Sequence, residues 1–453
     1  MRCEKKNLKK MSASVHSALL LIGGSLLILR RHITKQRQQQ HDRPTVDLHT
    51  VRQLLQDKYN IVDCKIKNLP SYDDLNFHIL TETKEYVFKF NLSDVQGDDL
   101  RLENIAMRHL AQDSNDSELS FFIPVVIPTV TTDDDDAEEV NIFTFKGELT
   151  QGRTYYVRLL TFIKGSMLAH VPVKERTTSF LSSVGQVLGR CDCSLSTFSS
   201  KYFIQVASER NHFWNLRNAL RLQKWTSEVQ HVNNRSLLKR AFGLFELHAG
   251  HLLVDDSPLR SQVTHQDGND YNIIVRQRRG EDEETTMKKM KKRMKRTKGE
   301  AVEEEEVEEE EDWSMVGLID FGDIVHTNLI CNLAVALAYL CCRPQQDDDD
   351  DDDVSSSSLN QYALFVSSSV VQGYVDAMPL DDIELDVLWW CMIGRICHSL
   401  ASSSHRQLLE PENKYLVVSE EPFWRLLHAL SSPSFEENAA TARERFHQLS
   451  EKK

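Results

Sequence analysis

The order of the sequence signals predicts an α+β chain of two lobes, strand-rich in its N-terminal part and helical in its C-terminal part. Three observations carry this. Strand-like stretches predominate up to Gly165, and helical spacing predominates after it. The chain has 453 residues, of which 40% are hydrophobic, enough for a sizeable core. Fully disordered, fibrous and small disulfide-stapled classes are thereby excluded.

The first 45 residues stand apart. An apolar run at 15–29 (VHSALLLIGGSLLIL) lies between Lys9-Lys10 and Arg30-Arg31. It is shorter than the roughly 20 residues a spanning helix needs. It reads as a disordered or loosely membrane-associated tail, with a signal anchor, a mitochondrial-type presequence or a functionless extension as competing readings. Membrane contact is expected only through this run. The expected location is cytoplasmic, with mitochondrial or membrane-tethered placement as the alternative.

Residues 46–165 are expected to form the N-terminal lobe. Val46–Tyr59 reads as a short amphipathic helix, Asn76–Thr81 and Glu85–Phe90 as strands, and Leu100–Leu110 as a helix with Leu102, Ile105, Ala106 and Leu110 on one face. More strands are expected within Val125–Leu149, and Tyr155–Ile163 (YYVRLLTFI) is a buried strand ending at Lys164-Gly165.

Residues 166–453 are expected to form the helical lobe. Lys174–Cys191, Asn211–Leu222, Ser236–His248, Asn328–Leu340, Asp381–Ser399 and Pro422–Leu430 carry helical spacing. Two charged inserts, 276–312 and 343–358, cannot bury apolar area and are expected to be disordered loops.

The formal charge is −14, yet the acids concentrate in three runs, at 133–139, 303–312 and 347–353. The remainder of the chain is positive, but it shows no basic face outside the tail and the insert, which argues against nucleic acid as a partner. The nine cysteines include no CxxC pair, and several lie in apolar stretches such as Ala338–Cys342. They read as buried free thiols in a reducing compartment, not as zinc ligands.

The chemistry is carried by residues that bracket the long insert. On one side His265-Gln266-Asp267-Gly268-Asn269-Asp270-Tyr271-Asn272 runs into the apolar strand Ile273–Val275. On the other, the apolar Val316–Ile319 ends in Asp320-Phe321-Gly322-Asp323. With the insert skipped, the two strands form a hairpin that presents Asp267, Asn272 and Asp320 to one point. Phosphoryl transfer needs that set: a carboxylate to accept the proton of an attacking hydroxyl, and an amide oxygen with a second carboxylate to hold magnesium against the phosphates. The step from Asp267 to Asn272 fits H-x-D-x-x-x-x-N, and Asp320-Phe321-Gly322 fits D-F-G. In the N-terminal part, Lys89 sits among apolar strand residues, where an ammonium needs a partner, and Glu103 on the next helix is the expected one. The segment Leu69–Phe77 between the first strands holds no glycine. Its Asp73 and Asp74, with Asp270 and Asp323, are candidates for binding a cationic substrate. Trp389 and Trp390 are candidates for core packing or for an aromatic cage around a quaternary nitrogen.

Together the stretches LPSYDDLNFH, YVFKF, YYVRLLTFIKG, FWNL, HQDGNDYN, GLIDFGD and LLEPENKYLVV give a chain that resembles the aminoglycoside phosphotransferase and choline kinase superfamily. Within it the resemblance is to the branch acting on 5-hydroxy-L-lysine, and it spans about Val46 to Leu430. It implies a protein-kinase-like fold, with 46–165 as the nucleotide-binding lobe, and GTP-dependent phosphorylation of the 5-hydroxy-L-lysine hydroxyl in lysine breakdown, with ATP as the other possible donor. It also implies Asp267 as proton acceptor and Asn272 and Asp320 as Mg2+ ligands. Lys89, its partner Glu103, and Asn76 would bind the nucleotide, His265 would brace the catalytic loop, and Leu160–Gly165 would form the hinge for the base. The chain departs from the superfamily at Gln266, where Gly is usual, and at Gly268, where Leu is usual. A choline- or homoserine-type kinase and a catalytically silent nucleotide-binding scaffold are the alternatives.

Overall fold

The computed structural model describes residues 46–69, 74–92, 97–113, 119, 122–130, 141–146, 154–277, 313–342, 355–409, 411 and 420–451. The tail at 1–45, the insert residues 278–312 and 343–354, Asp73, and most of the LLEPENKYLVV stretch lie outside the described residues.

Helix α1 (Leu48–Tyr59) starts where the Asp47 carboxylate accepts the Thr50 N–H at 2.8 Å, and it stops at Asn60, which takes a left-handed φ of 55°. Its buried stripe, Val51, Leu55 and Tyr59, recurs every four residues and lies on the sheet. That sheet comprises β1 (Lys65–Leu69), β2 (Leu75–Leu80), β3 (Glu85–Leu92), β4 (Val126–Ile127), β5 (Phe143–Phe145) and β6 (Tyr155–Thr161). Its order is β1-β2-β3-β6-β4, with β5 also on β6, and each pairing is antiparallel.

Alternation along these strands makes two unlike faces. Phe77, Ile79, Phe88, Phe90, Tyr155, Val157 and Leu159 form a small aromatic-rich core with α1. The opposite face carries a polar row, because Asn76 pairs in register with Lys89 and Lys89 with Arg158. Helix α2 (Gly97–Ala111) buries Leu102, Ala106, Met107 and Leu110, but in the larger core that continues into the helical part.

Beyond β6 the chain forms β7 (Ser166–Met167), α3 (Thr178–Leu195), α4 (Lys201–Glu209), a 3-10 segment (Leu216–Glu228), α5 (Val232–His248), β8 (Ser261–Thr264), β9 (Ile273–Gln277), β10 (Trp313–Leu318), β11 (Val325–Asn328), α6 (Ile330–Leu340), α7 (Ser356–Ala377), α8 (Asp382–Leu409), α9 (Glu420–Leu430) and α10 (Phe435–Glu451). The expected hairpin forms: β9 and β10 pair antiparallel, Ile273 opposite Leu318. The small ladder of β8 and β11 lies beside it. This is the two-lobed arrangement that the sequence predicted.

Several local expectations are corrected. The helix expected at Lys174–Cys191 begins only at Thr178, because the Thr177 hydroxyl caps it by accepting the Phe180 N–H. Asn211–Leu222 is not an α-helix; a 3-10 segment starts at Leu216 behind an Asn215 cap. The serines at 355–358, assigned to a disordered insert, are the N-cap and first turn of α7. Helix α3 crosses α7 at backbone distance. A Cβ on Gly185 would stand 1.9 Å from the Val370 carbonyl oxygen, and one on Gly373 would stand 1.8 Å from that of Ser182. Among the described residues no helix is long and apolar enough to cross a membrane.

Candidate active site

The loop 265–272 joins β8 to β9 and is tied down from both sides. The Asp267 N–H donates to His265 Nδ1 at 3.2 Å, which leaves the proton on Nε2, and that N–H donates to the Ile319 carbonyl at 3.1 Å. Burial pushes the His265 pKa down to about 4, so the ring stays neutral, and it meets Phe321 edge-on at 4.6 Å. His265 thus connects the loop to the end of β10. The Ile319 N–H adds a bond to the Asn272 carbonyl at 3.0 Å.

Asp267 presents its carboxylate between two amides. Asn269 Nδ2 donates to Oδ1 at 2.8 Å and Asn272 Nδ2 to Oδ2 at 2.6 Å. Burial raises the Asp267 pKa to about 7, against the nearby Arg395 charge, which lowers it. Because Asn272 spends its Nδ2 on Asp267, its Oδ1 remains as an oxygen donor. Asp320 follows β10 at a left-handed φ of 62° and is half-exposed toward the same point. Its Oδ1 lies 3.5 Å from Lys89 Nζ, and that ammonium holds the Asp320 pKa below the usual carboxylate range. Among the described residues no group of three or more His, Cys, Asp or Glu gathers for a metal ion. Two oxygen donors, one of them charged, fit a magnesium ion that takes its other ligands from phosphates and water.

Lys89 does not pair with Glu103, contrary to the expectation. Its ammonium lies between Asp74 Oδ2 at 3.3 Å and Asp320 Oδ1. Burial works against its charge, and Asp320 and Asp74 more than offset this, so its pKa is raised. Glu103 instead pairs with Arg158, the residue beside Lys89 on β6, whose guanidinium also donates to Asn104 Oδ1. Asp74, suggested for a substrate cation, is therefore engaged by Lys89, with Asn91 Nδ2 donating to the same carboxylate oxygen at 2.8 Å. Asn76 stands opposite Lys89 on β2.

Removing Arg158 alone would leave Glu103 charged and buried. An Arg158→Met variant is expected to lose about 3–5 kcal/mol of stability, the range for breaking one side of a buried pair. In Arg158→Met/Glu103→Leu most of that loss is expected to return, measured by chemical denaturation. Equal stability of Arg158→Met and the parent would show that the pair is not a buried charge interaction.

Sequence reasoning missed three further groups. Arg395, on α8, is fully buried and donates to the Trp214 carbonyl at 3.0 Å and to Tyr339 Oη at 3.3 Å, with its guanidinium 4.9 Å from the Trp214 ring. His212 Nε2 lies 3.4 Å from Asp323 Oδ1; burial pushes the His212 pKa down to about 3, so it brings no charge. Asp192 and Asn332 lie behind the catalytic loop. An arginine inside the apolar run of α8, like Arg158 inside YYVRLLT, was the available signal: a buried guanidinium needs a reason. Asp270 is half-buried near Arg176, and burial raises its pKa to about 6. Trp389 and Trp390 are buried, and among the described residues their ring neighbours are Phe446 and the stacked His248, respectively.

The departure at Gln266 carries a visible cost. Gln266 holds φ at 62°, the region glycine occupies freely, and its buried amide nitrogen and oxygen have no hydrogen-bond partner. Gly268 sits against Ala336, with 3.3 Å from a would-be Cβ to that methyl, so a leucine there would need space that α6 occupies.

The phosphotransferase enzyme family matches residues 65–283. Among curated proteins, hydroxylysine kinase of Bos taurus is 21% identical over 386 residues, 83% of this chain and 87% of the relative. Hydroxylysine kinase of Xenopus laevis is 24% identical over 401 residues, 86% and 91% of the two chains. Among solved structures, a microcompartment-associated aminopropanol kinase superposes with a TM-score of 0.56 at 14% identity, covering 87% of this chain and 99% of that one. Amicoumacin kinase in complex with AMP-PNP, Ca2+ and Ami gives a TM-score of 0.55 at 11% identity, over 84% and 93%. These structures share the two-lobed kinase-like fold.

Proposed function

We propose that this chain, a phosphotransferase with an alcohol group as acceptor, is a small-molecule kinase that transfers the γ-phosphoryl group of GTP to the side-chain hydroxyl of 5-hydroxy-L-lysine, giving 5-phosphohydroxylysine and GDP within lysine catabolism. The observation that carries the reading is the convergence of Asp267, Asn272, Asp320 and Lys89 from three separate stretches of chain. The curated relatives named above support the acceptor. GTP rests on the sequence resemblance alone.

In this reading Asp267 accepts the proton of the attacking hydroxyl, while the amides of Asn269 and Asn272 hold its carboxylate in place. Lys89 meets the donor phosphates from β3. Asp320 and the Asn272 oxygen would hold magnesium, which would supply positive charge against the donor phosphates. Asp323 suits a cationic acceptor. Burial and the neighbouring Asp267 charge hold its pKa well above the carboxylate range, and its contact His212 is neutral. A substrate ammonium would relieve that cost.

Nucleoside diphosphate release by the full-length protein tests the reading, with 5-hydroxylysine, lysine, choline and homoserine as acceptors under GTP and ATP. Turnover is expected with 5-hydroxylysine and GTP, and none with lysine, which lacks the hydroxyl. Preferred turnover of choline or homoserine would replace the acceptor. Nucleotide binding without turnover of any acceptor would favour a silent scaffold.

A further inference from the structure

Behind the catalytic loop, a buried polar chain crosses the helical part and has no role in the chemistry described so far. Asp192, on α3, is fully buried. Its two carboxylate oxygens each accept from Asn332 Nδ2 at 2.9 Å, and Oδ2 also accepts the Tyr374 hydroxyl of α7 at 2.6 Å. Asn332, on α6, turns its other end to the loop, where Oδ1 accepts the Gln266 N–H at 2.8 Å. Gln266 is the left-handed residue of the turn, and the next residue is Asp267.

A carboxamide has two ends of nearly the same shape, and its neighbours alone decide which end points where. Burial raises the Asp192 pKa to about 7, and the donors Asn332 and Tyr374 work against that by bonding its charged form. Ionised, Asp192 can only accept, so it draws the NH2 end of Asn332. The oxygen is thereby left facing the Gln266 N–H. The reversed amide would set its NH2 against that N–H and its oxygen against the carboxylate, two repulsive contacts without water to relieve them. A glutamine in the left-handed region stays there only when its surroundings over-determine it. The Gln266 side chain cannot do this, since neither end of its amide has a partner. The bond from its N–H to Asn332 is therefore the contact that fixes Gln266 itself, beside the His265 bonds that hold its neighbours.

We infer that Asp192 is a positioning residue for the reaction: by fixing which way the Asn332 amide points, it holds the Gln266 turn and so sets where Asp267 stands. The inference rests on the reading of Asp267 as proton acceptor, and it reaches that residue only through Asn332.

The exchange of the two side chains tests it. In Asp192→Asn the amide of residue 332 loses its director. A displaced catalytic group of this kind is expected to lower kcat about ten- to a hundredfold with KM for the nucleotide little changed. In the double variant Asp192→Asn/Asn332→Asp each bond has a counterpart. The carboxylate at 332 accepts from Gln266 and from the new amide at 192, whose oxygen accepts from Tyr374. This variant is expected to recover kcat to within about threefold of the parent, a recovery that mere structural damage would not show. Hydrogen exchange of the peptide spanning 265–272 reads the same geometry without turnover: faster in Asp192→Asn, restored in the exchange variant. Unchanged exchange and kcat in Asp192→Asn would overturn the inference. So would an exchange variant that melts like the parent yet keeps the low kcat and fast amide exchange. If the parent turns over no acceptor, the functional reading fails while the exchange measurement still decides this one.

Discussion

Asp267→Asn is expected to lower kcat by about 10³-fold, within the range for loss of a general base, with KM for the nucleotide changed less than about threefold. The asymmetry follows from the geometry. The asparagine has the carboxylate's shape but no basic oxygen, so it cannot take the hydroxyl proton. Its NH2 would also face one of two amide donors, Asn269 or Asn272, each now within 2.8 Å of Asp267. Lys89 and Asp320, the groups that the proposed reading assigns to the phosphates, are paired with each other and not with Asp267. Steady-state kinetics with the best acceptor of the panel checks this. A variant retaining a tenth or more of the parent kcat would remove Asp267 from the role of base.

Gly185→Ala is expected, like Gly373→Ala at the same crossing, to be strongly disruptive for its size, costing about 3 kcal/mol or more, at the upper end for overpacking. The added methyl meets the Val370 carbonyl oxygen at 1.9 Å, with the Val370 carbonyl carbon and the Tyr374 nitrogen at 2.8 and 2.9 Å. All three atoms are backbone, so no side chain can swing aside, and α3 and α7 must separate or the turn must deform. Interiors packed as densely as organic crystals transmit such a shift. Gly243 in α5 has nothing within 4 Å of a would-be Cβ. Gly243→Ala is therefore expected to be neutral or to stabilise by up to about 1 kcal/mol, as alanine for glycine does in a helix. Thermal melting of both variants decides it. Equal melting temperatures for Gly185→Ala and the parent would mean the helices do not meet as closely as described.

The grouping of the candidate residues was legible because its signal is local. His265, Asp267 and Asn272 sit within one loop, and Asp320 closes the strand that pairs with the next one, so spacing and strand ends suffice. The Lys89 partner was not legible, because two cations compete for Glu103 and the choice depends on sheet order. Pairing β6 beside β3 brings Arg158 next to Lys89, and neither sequence distance nor periodicity announces that pairing. The relay from Asp192 through Asn332 to Gln266 was hidden for the same reason, since it joins α3, α6 and the loop across the core. Helix α7 was obscured by composition. Its opening serines continue an acidic, serine-rich stretch, and serine competes with the helical backbone for hydrogen bonds. Within α7, Ser369 resolves that competition by donating its hydroxyl to the Phe365 carbonyl one turn back, at 2.9 Å.

The two cores described for the fold do not coincide with the two lobes read along the chain. On β6, Leu159 belongs to the aromatic core under α1, while its neighbour Leu160 belongs to the large helical core. Leu102, Ala106, Met107 and Leu110 of α2 go with the latter, although α2 lies in the sequence between β3 and β6. A fragment cut after Gly165 would thus carry away Leu102, Ala106, Met107, Leu110 and Leu160 stripped of their cover. The two halves are not interchangeable modules: part of the N-terminal half's apolar surface is covered only by the C-terminal half, and neither a gene fusion nor a truncation at the apparent boundary would yield a self-contained unit.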